Sequence, residues 1–293
     1  MCGIGAFQLK EGDGNPRLLA QTLLRGLSIR GRDAAGVAWH TDDAEPQTYI
    51  HKFNCDGWDL AKALDKNVGR TAIVHTRYAT LGSPKVMSNN HPIDVEGVVG
   101  VHNGHVNNHE QLFQKVRGYK RKGTVDSEAI FAYLRYGTSG RSLTDKLSDI
   151  NGAAAIMWLQ TNSPKRYLHV ARITQSPLCY GKTKAGSVIL ASTKDILVKA
   201  VEQADLEIGD VVTLDEGVYL RFEDGDISRM LDIPLPAPQA PLFKWPTHTI
   251  TSSVPKNLGA GVGGEFRDGR WHTALELMMA QWEQDERDMR DDS

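Results

Sequence analysis

The chain has 293 residues, 40% of them apolar and 24% charged, proportions of a globular enzyme or binding protein that exclude a disordered or fibrous chain. Its 34 basic and 36 acidic side chains leave a formal net charge of −2, so overall charge gives no ground for nucleic-acid or anionic-membrane partners. Three cysteines, an odd and sparse set, point to a reducing compartment rather than a disulfide framework; with no leader-like start and no apolar run long enough to cross a bilayer, the expectation is a cytoplasmic protein.

In chain order, a first strand is expected over Cys2 to Leu9. Asn15 as cap and Pro16 at the first helical position open a helix. Leu18, Leu19, Leu23, Leu24 and Leu27 give that helix one apolar face up to about Arg30, where Gly31 stops it. "GVAWH", "TYIHKF", "TAIVHTR" and "GVVGVHNG" then read as short, mostly buried strands. Helices follow at about 109–117, 127–136 and 143–147. A second strand series, "AAAIMWLQ", "YLHVARI", "SVILAST", "DVVTLD" and "GVYLRFED", is interrupted by the helix "KDILVKAVEQA". Strands, helices and strands again imply a layered α+β body with two antiparallel sheets face to face and helices outside.

The character changes near Leu231. Half of the twelve prolines lie between Pro234 and Pro255, so residues 231–269 are expected to be a Pro/Gly-rich linker. Residues 270–293 place Trp271, Leu275, Met278, Met279 and Trp282 on one side of a helical tail, which reads equally as a docking arm or as a last helix packed on its own domain.

Two motifs are declined. Gly259, Gly261 and Gly264 satisfy G-x-G-x-x-G, but what precedes them is a proline-rich run rather than the strand of a βαβ unit, so they are taken as a flexible loop. His102, His105 and His109 have helical spacing, yet an Asn-Gly pair intervenes and no cysteine or carboxylate cluster completes a ligand set. No metal is expected.

What remains is the start, "MCGIGAF". With Met1 removed, Cys2 would carry a free α-amine. A thiol with pKa near 8.5 is only a few per cent thiolate at neutral pH, whereas an α-amine with pKa about 7.7 to 8.0 can take its proton directly or through one water. Nucleophile and base would then belong to one residue. On this stretch alone, a chance cysteine in a loosely held end is as good a reading.

"MCGIGAF", "IRGRDAAGVA", "HTRYATLG", "NNHPI", "VHNGHVNN" and "VDSEAI" occur in that order, and the ordered set resembles the glutaminase domain of class II glutamine amidotransferases, which are N-terminal nucleophile hydrolases. The resemblance extends over about residues 2–230 through "SPLCYG", "VILASTKDIL" and "GDVVTLDEGVYLRFEDGDI". It implies a four-layer αββα sandwich, L-glutamine as substrate, Cys2 as nucleophile, and no metal or organic cofactor.

Site roles follow by the same resemblance, and the residue types suit them. Arg77 offers a planar fork for the α-carboxylate of glutamine, although taken alone it could be a surface arginine in an ion pair. Asn103 and Gly104, at the end of a strand, can aim a side-chain amide and a backbone N–H at one spot as an oxyanion hole; by itself Asn-Gly reads as a hairpin turn. Asp126 could simply cap a helix, and the resemblance assigns it to the substrate's α-ammonium. Tyr78, Thr80 and His91 are carried over as substrate-binding, and Arg30 and Asp33 as residues that steady the nucleophile. Several relatives have tryptophan at the position of Tyr78 and histidine at that of Leu81, so loop closure is where this chain departs.

The expected activity is hydrolysis of glutamine to glutamate and ammonia through a Cys2 thioester. About sixty residues follow the body, too few for a synthase domain, so the ammonia consumer is expected to be a separate polypeptide; a homo-oligomer is compatible with this. Two alternatives stand beside it: an amidohydrolase or acylase of the same superfamily, which Arg77 with Asp126 disfavours, and a non-catalytic regulatory module that has kept the fold.

Overall fold

The computed structural model describes residues 1–161 and 163–235, and the backbone of residues 264–267 and 270–273. The chain divides into two units, Met1–Leu235 and Pro236–Ser293. In chain order the first unit runs β1 (Gly3–Gln8), α1 (Pro16–Leu27), β2 (Ala34–His40), β3 (Thr48–Phe53), α2 (Gly57–Ala63), β4 (Thr71–Arg77), β5 (Ile93–Val95) and β6 (Val98–Val106). Then come α3 (His109–Gln114), α4 (Ser127–Tyr136), α5 (Leu143–Ser148), β7 (Gly152–Gln160), β8 (Leu168–Thr174), β9 (Cys179–Lys182), β10 (Val188–Ala191), α6 (Lys194–Glu202), β11 (Val212–Thr213), β12 (Val218–Glu223) and β13 (Asp226–Asp232).

Two antiparallel sheets result, one ordered β11-β9-β10-β1-β4-β2-β3 and the other β13-β12-β8-β7-β6-β5. The inner strands β1, β2, β4 and β7 are buried along nearly their whole length, so they read as apolar runs rather than as clean alternation, whereas β3, β11 and β13 at the sheet edges are partly or largely exposed. β7 shows how an inner strand serves two layers: Ala155, Met157 and Leu159, beside Val101 of β6, share a core with Ile4 and Ile73 of the other sheet, while Ala154, Ile156 and Trp158 face the helix side with Ile130, Phe131 and Tyr133 of α4. Helices α1, α2 and α6 pack on one sheet and α3, α4 and α5 belong to the other. This is the αββα sandwich expected.

Local chemistry explains the element ends. Asn15 Oδ1 accepts from Leu18 N–H at 3.2 Å and Pro16 opens α1. The helix ends at Leu27, three residues short of the expected Arg30, because the Ser28 hydroxyl bonds back to Leu24 O and Arg30 N–H turns to Leu27 O. Helix α2 has no counterpart in the sequence reading. Asp56 caps it through Asp59 N–H at 2.8 Å, and Gly57 lets it approach α1, since a Cβ there would sit 2.3 Å from Leu24 O.

In the second unit the described residues form an antiparallel pair, β14 (Gly264–Arg267) and β15 (Arg270–Thr273). This corrects the expectation at those positions. Gly264 begins a strand where a flexible loop was expected, and 270–273, Trp271 among them, form a strand where a helical tail was to start. Gly259, Gly261, Leu275, Met278, Met279 and Trp282 lie outside the described residues.

Candidate active site

β1 is an inner strand, flanked by β10 and β4, with Gly3 opposite Thr76; β2 flanks β4 on its other side, with Ala34 opposite Arg77. Three neighbouring strands therefore bring Cys2, Asp33 and Arg77 to one end of the sheet. The backbone of Tyr78 brackets the Cys2 thiol: its N–H approaches Sγ at 3.4 Å and its carbonyl oxygen lies 3.6 Å from it. Gly31 permits this, because a Cβ there would come within 2.4 Å of Arg77 C and Tyr78 N. Arg30 Nε donates to Cys2 O at 2.9 Å, and Asp33 accepts from Ala79 N–H at 2.7 Å, so both steady the backbone around the sulfur.

Cys2, Tyr78, Thr80, Asn103 and Gly104 line one cleft of about 540 Å³, together with Met1, His105, Ala153 and residues 175–177. Asn103 is 2% exposed and its Nδ2 has no hydrogen-bond partner. A buried amide donor without an acceptor is costly unless a ligand supplies one. Gly104 adopts φ +140°, and a Cβ there would lie 1.9 Å from Ala153 O, so this position admits glycine alone. Asn103 and Gly104 both lie inside β6, which runs on to Val106, and the hairpin-turn reading falls.

Arg77 is buried, and its guanidinium meets only neutral acceptors: Asn90 Oδ1 at 2.7 Å, Leu81 O at 2.6 Å and Gly82 O at 2.7 Å. Among the described residues no carboxylate pairs with it, so the surface-ion-pair reading also falls. Burial pulls its pKa down, and the charges of Cys2, Asp33 and Asp126 oppose that. A guanidinium charge held this way lacks a counter-ion. Asp126 caps α4 through Oδ1 to Ser127 N–H at 2.9 Å, and its Oδ2 accepts from Val106 N–H at 2.7 Å. The cap therefore also ties α4 to the end of the strand that carries Asn103 and Gly104.

A family model described as a glutamine amidotransferase domain matches residues 75–199. The chain is 31% identical over 227 residues to the isomerizing glutamine–fructose-6-phosphate aminotransferase of Salmonella paratyphi A, and 34% identical over 228 residues to that of Vibrio vulnificus, each match covering 73% of this chain and 35% of the relative. It thus spans about a third of the length of these curated relatives. Among solved structures, the glutamine phosphoribosylpyrophosphate amidotransferase of B. subtilis superposes with a TM-score of 0.63 at 21% identity, covering 80% of this chain and 50% of that one, which speaks for the fold. This chain carries a class II glutamine amidotransferase domain.

In the amidotransferase domain the thiol is not activated by its surroundings alone. Cys2 is partly open to the cleft, but the protein packed about it raises its pKa; the Tyr78 N–H, the chain's terminal ammonium and Arg77 pull the other way without cancelling that rise.

The structure does not bring His91 to the cleft. It is 4% exposed and stacks on His75 with ring centroids 4.1 Å apart, beneath Gly36, where a Cβ would sit 2.2 Å from His91 O. The neighbouring Asn90, which the sequence reading did not single out, is the residue that holds Arg77. Its signal was the "NNHPI" stretch itself. Of the three declined histidines, His102 is buried against Ser127 Oγ at 2.8 Å, His105 borders the cleft, and His109 bonds Val106 O. Residues 175–177, the cleft's far wall, were also missed, because Gln175 takes a left-handed φ of 59° with no sequence signature.

Proposed function

We propose that this chain hydrolyses the side-chain amide of L-glutamine to glutamate and ammonia, with Cys2 as nucleophile. The observation that carries this is the cleft itself, where an N-terminal thiol and an unpartnered Asn103 amide sit near a buried Arg77 with no anionic partner. Once Met1 is removed, the α-amine of Cys2 takes the thiol proton, a need made acute by the raised pKa of the thiol. Sγ attacks the amide carbon, and Asn103 Nδ2 with the Gly104 N–H receives the oxyanion. The carbon–nitrogen bond breaks as the amine passes its proton to the leaving nitrogen. Water then cleaves the thioester, releasing glutamate and restoring the thiol.

Arg77 would hold the substrate's α-carboxylate as a two-pronged donor and Asp126 its α-ammonium. Tyr78 and Thr80 would form the near wall, and Arg30 and Asp33 would keep the Cys2 backbone in place. In this reading the ammonia passes to a synthase on a separate polypeptide. The decisive test is a diazoketone analogue of glutamine with mass-spectrometric mapping. A single adduct on Cys2, blocked by excess glutamine, is expected; labelling elsewhere, or none, defeats the proposal.

A further inference from the structure

Residues 175–177 carry the chain from β8, in one sheet, to β9, in the other, and form the wall of the cleft beyond Gly104. This crossover is held by two charged side chains. Glu216 Oε1 accepts from Gln175 N–H at 2.8 Å, Arg172 Nε donates to Ser176 O at 3.0 Å, and Arg172 and Glu216 pair at 3.5 Å. Arg172 is further anchored on Leu214 O at 2.5 Å. A non-glycine residue at φ 59° persists only where its surroundings over-determine it, and here the Gln175 N–H and the Ser176 carbonyl, one on each side of it along the chain, are each held by a charged side chain.

The clamp presents one side chain. Ser176 is 7% exposed, it borders the cleft, and its Oγ is 3.0 Å from where a Cβ on Gly104 would lie. Among the described residues that hydroxyl has no hydrogen-bond partner. A hydroxyl that opens to the cleft without a protein partner, on a residue otherwise nearly buried and fixed next to the oxyanion glycine, is placed for the reacting end of the substrate rather than its head group. At that end an amide differs from an ester or an acid by its NH₂, whose two donors need acceptors, and Asn103 Nδ2 and the Gly104 N–H can only donate.

Resting on the glutaminase reading, we propose that Ser176 Oγ accepts a hydrogen bond from the carboxamide nitrogen of glutamine, and that the Arg172–Glu216 pair positions it. Ser176 would thus select amides over γ-esters. The test compares glutamine with glutamate γ-methyl ester on the full chain. Ser176→Ala should lower kcat/KM for glutamine about five- to tenfold and leave the ester within twofold, with an unchanged thermal midpoint. Ser176→Thr, which keeps a hydroxyl, should preserve the amide-to-ester ratio. Glu216→Ala, which frees the wall, should lower that ratio as well. An equal loss on both substrates in Ser176→Ala, or no loss, overturns the role of Ser176. A wild-type protein that cleaves neither substrate overturns the glutaminase reading itself.

Discussion

Cys2 Sγ is held by the main chain of Tyr78, not by its side chain: the N–H at 3.4 Å and the carbonyl oxygen at 3.6 Å both belong to the peptide backbone, while the phenol points out, 54% exposed. The setting of the thiol therefore depends on how closely β4 and the loop after it approach Cys2, and Gly31 sets that approach.

Replacing the Tyr78 side chain should accordingly leave the thiol alone. Tyr78→Phe is expected to alter the rate of Cys2 alkylation by iodoacetamide less than twofold. Gly31→Ala should slow it more than tenfold, because the new Cβ would meet the Arg77–Tyr78 peptide at 2.4 Å. Equal alkylation rates in the two variants would contradict this account.

Arg77→Lys keeps the charge and loses the fork. It should raise KM for glutamine by about ten- to a hundredfold, the scale expected when a bidentate charge-assisted contact becomes a point contact. Turnover at saturation should change much less. Steady-state kinetics would show the split, and a fall confined to kcat would argue against a carboxylate-binding role.

Asn103→Ala removes the unpartnered buried donor. Loss of one oxyanion donor costs about 10²- to 10³-fold in kcat. Because that donor has nothing to bond in the resting protein, the folded state should not be destabilised, and its thermal midpoint should hold or rise. A variant that loses stability but keeps kcat would show that Asn103 is structural.

Stability should fall on acidification well before the carboxylates titrate. Burial depresses His75 and His169 to about 3 and His40 to about 4, against about 6.5 in the unfolded chain. Below pH 6.5 the unfolded chain takes up protons that the folded one refuses, so stability present above that pH is lost as pH falls toward the folded values. At pH 5 each such histidine costs about 2 kcal/mol. The thermal midpoint should therefore drop by several degrees from pH 7 to pH 5, and His169→Gln should flatten that slope. A midpoint constant over this range would refute the argument.

Much of this protein was open to reading in one dimension. The Asn15-Pro16 start of α1, the start of α4 behind Asp126 and the buried strands carry local signals: caps, fixed φ angles and apolar runs, each acting within a few residues. The ordered motifs also pointed to Cys2, Asn103 and Gly104, which the fold brings to one cleft, and to Arg77, which it buries beside Asn90. Those signals failed where a contact between distant segments decided the outcome. α2 exists because Gly57 can touch the carbonyl of Leu24, and His91 is interior because β2 offers Gly36 beneath it. Asn90 holds Arg77 from across a loop, and the wall at Ser176 is shaped by Arg172 and Glu216, four residues back and forty ahead. Residue type determines which chemistry a side chain can perform and the local chain determines where helices and strands begin; which polar groups come to line the cleft, and with which partners, is decided only when remote segments close on one another.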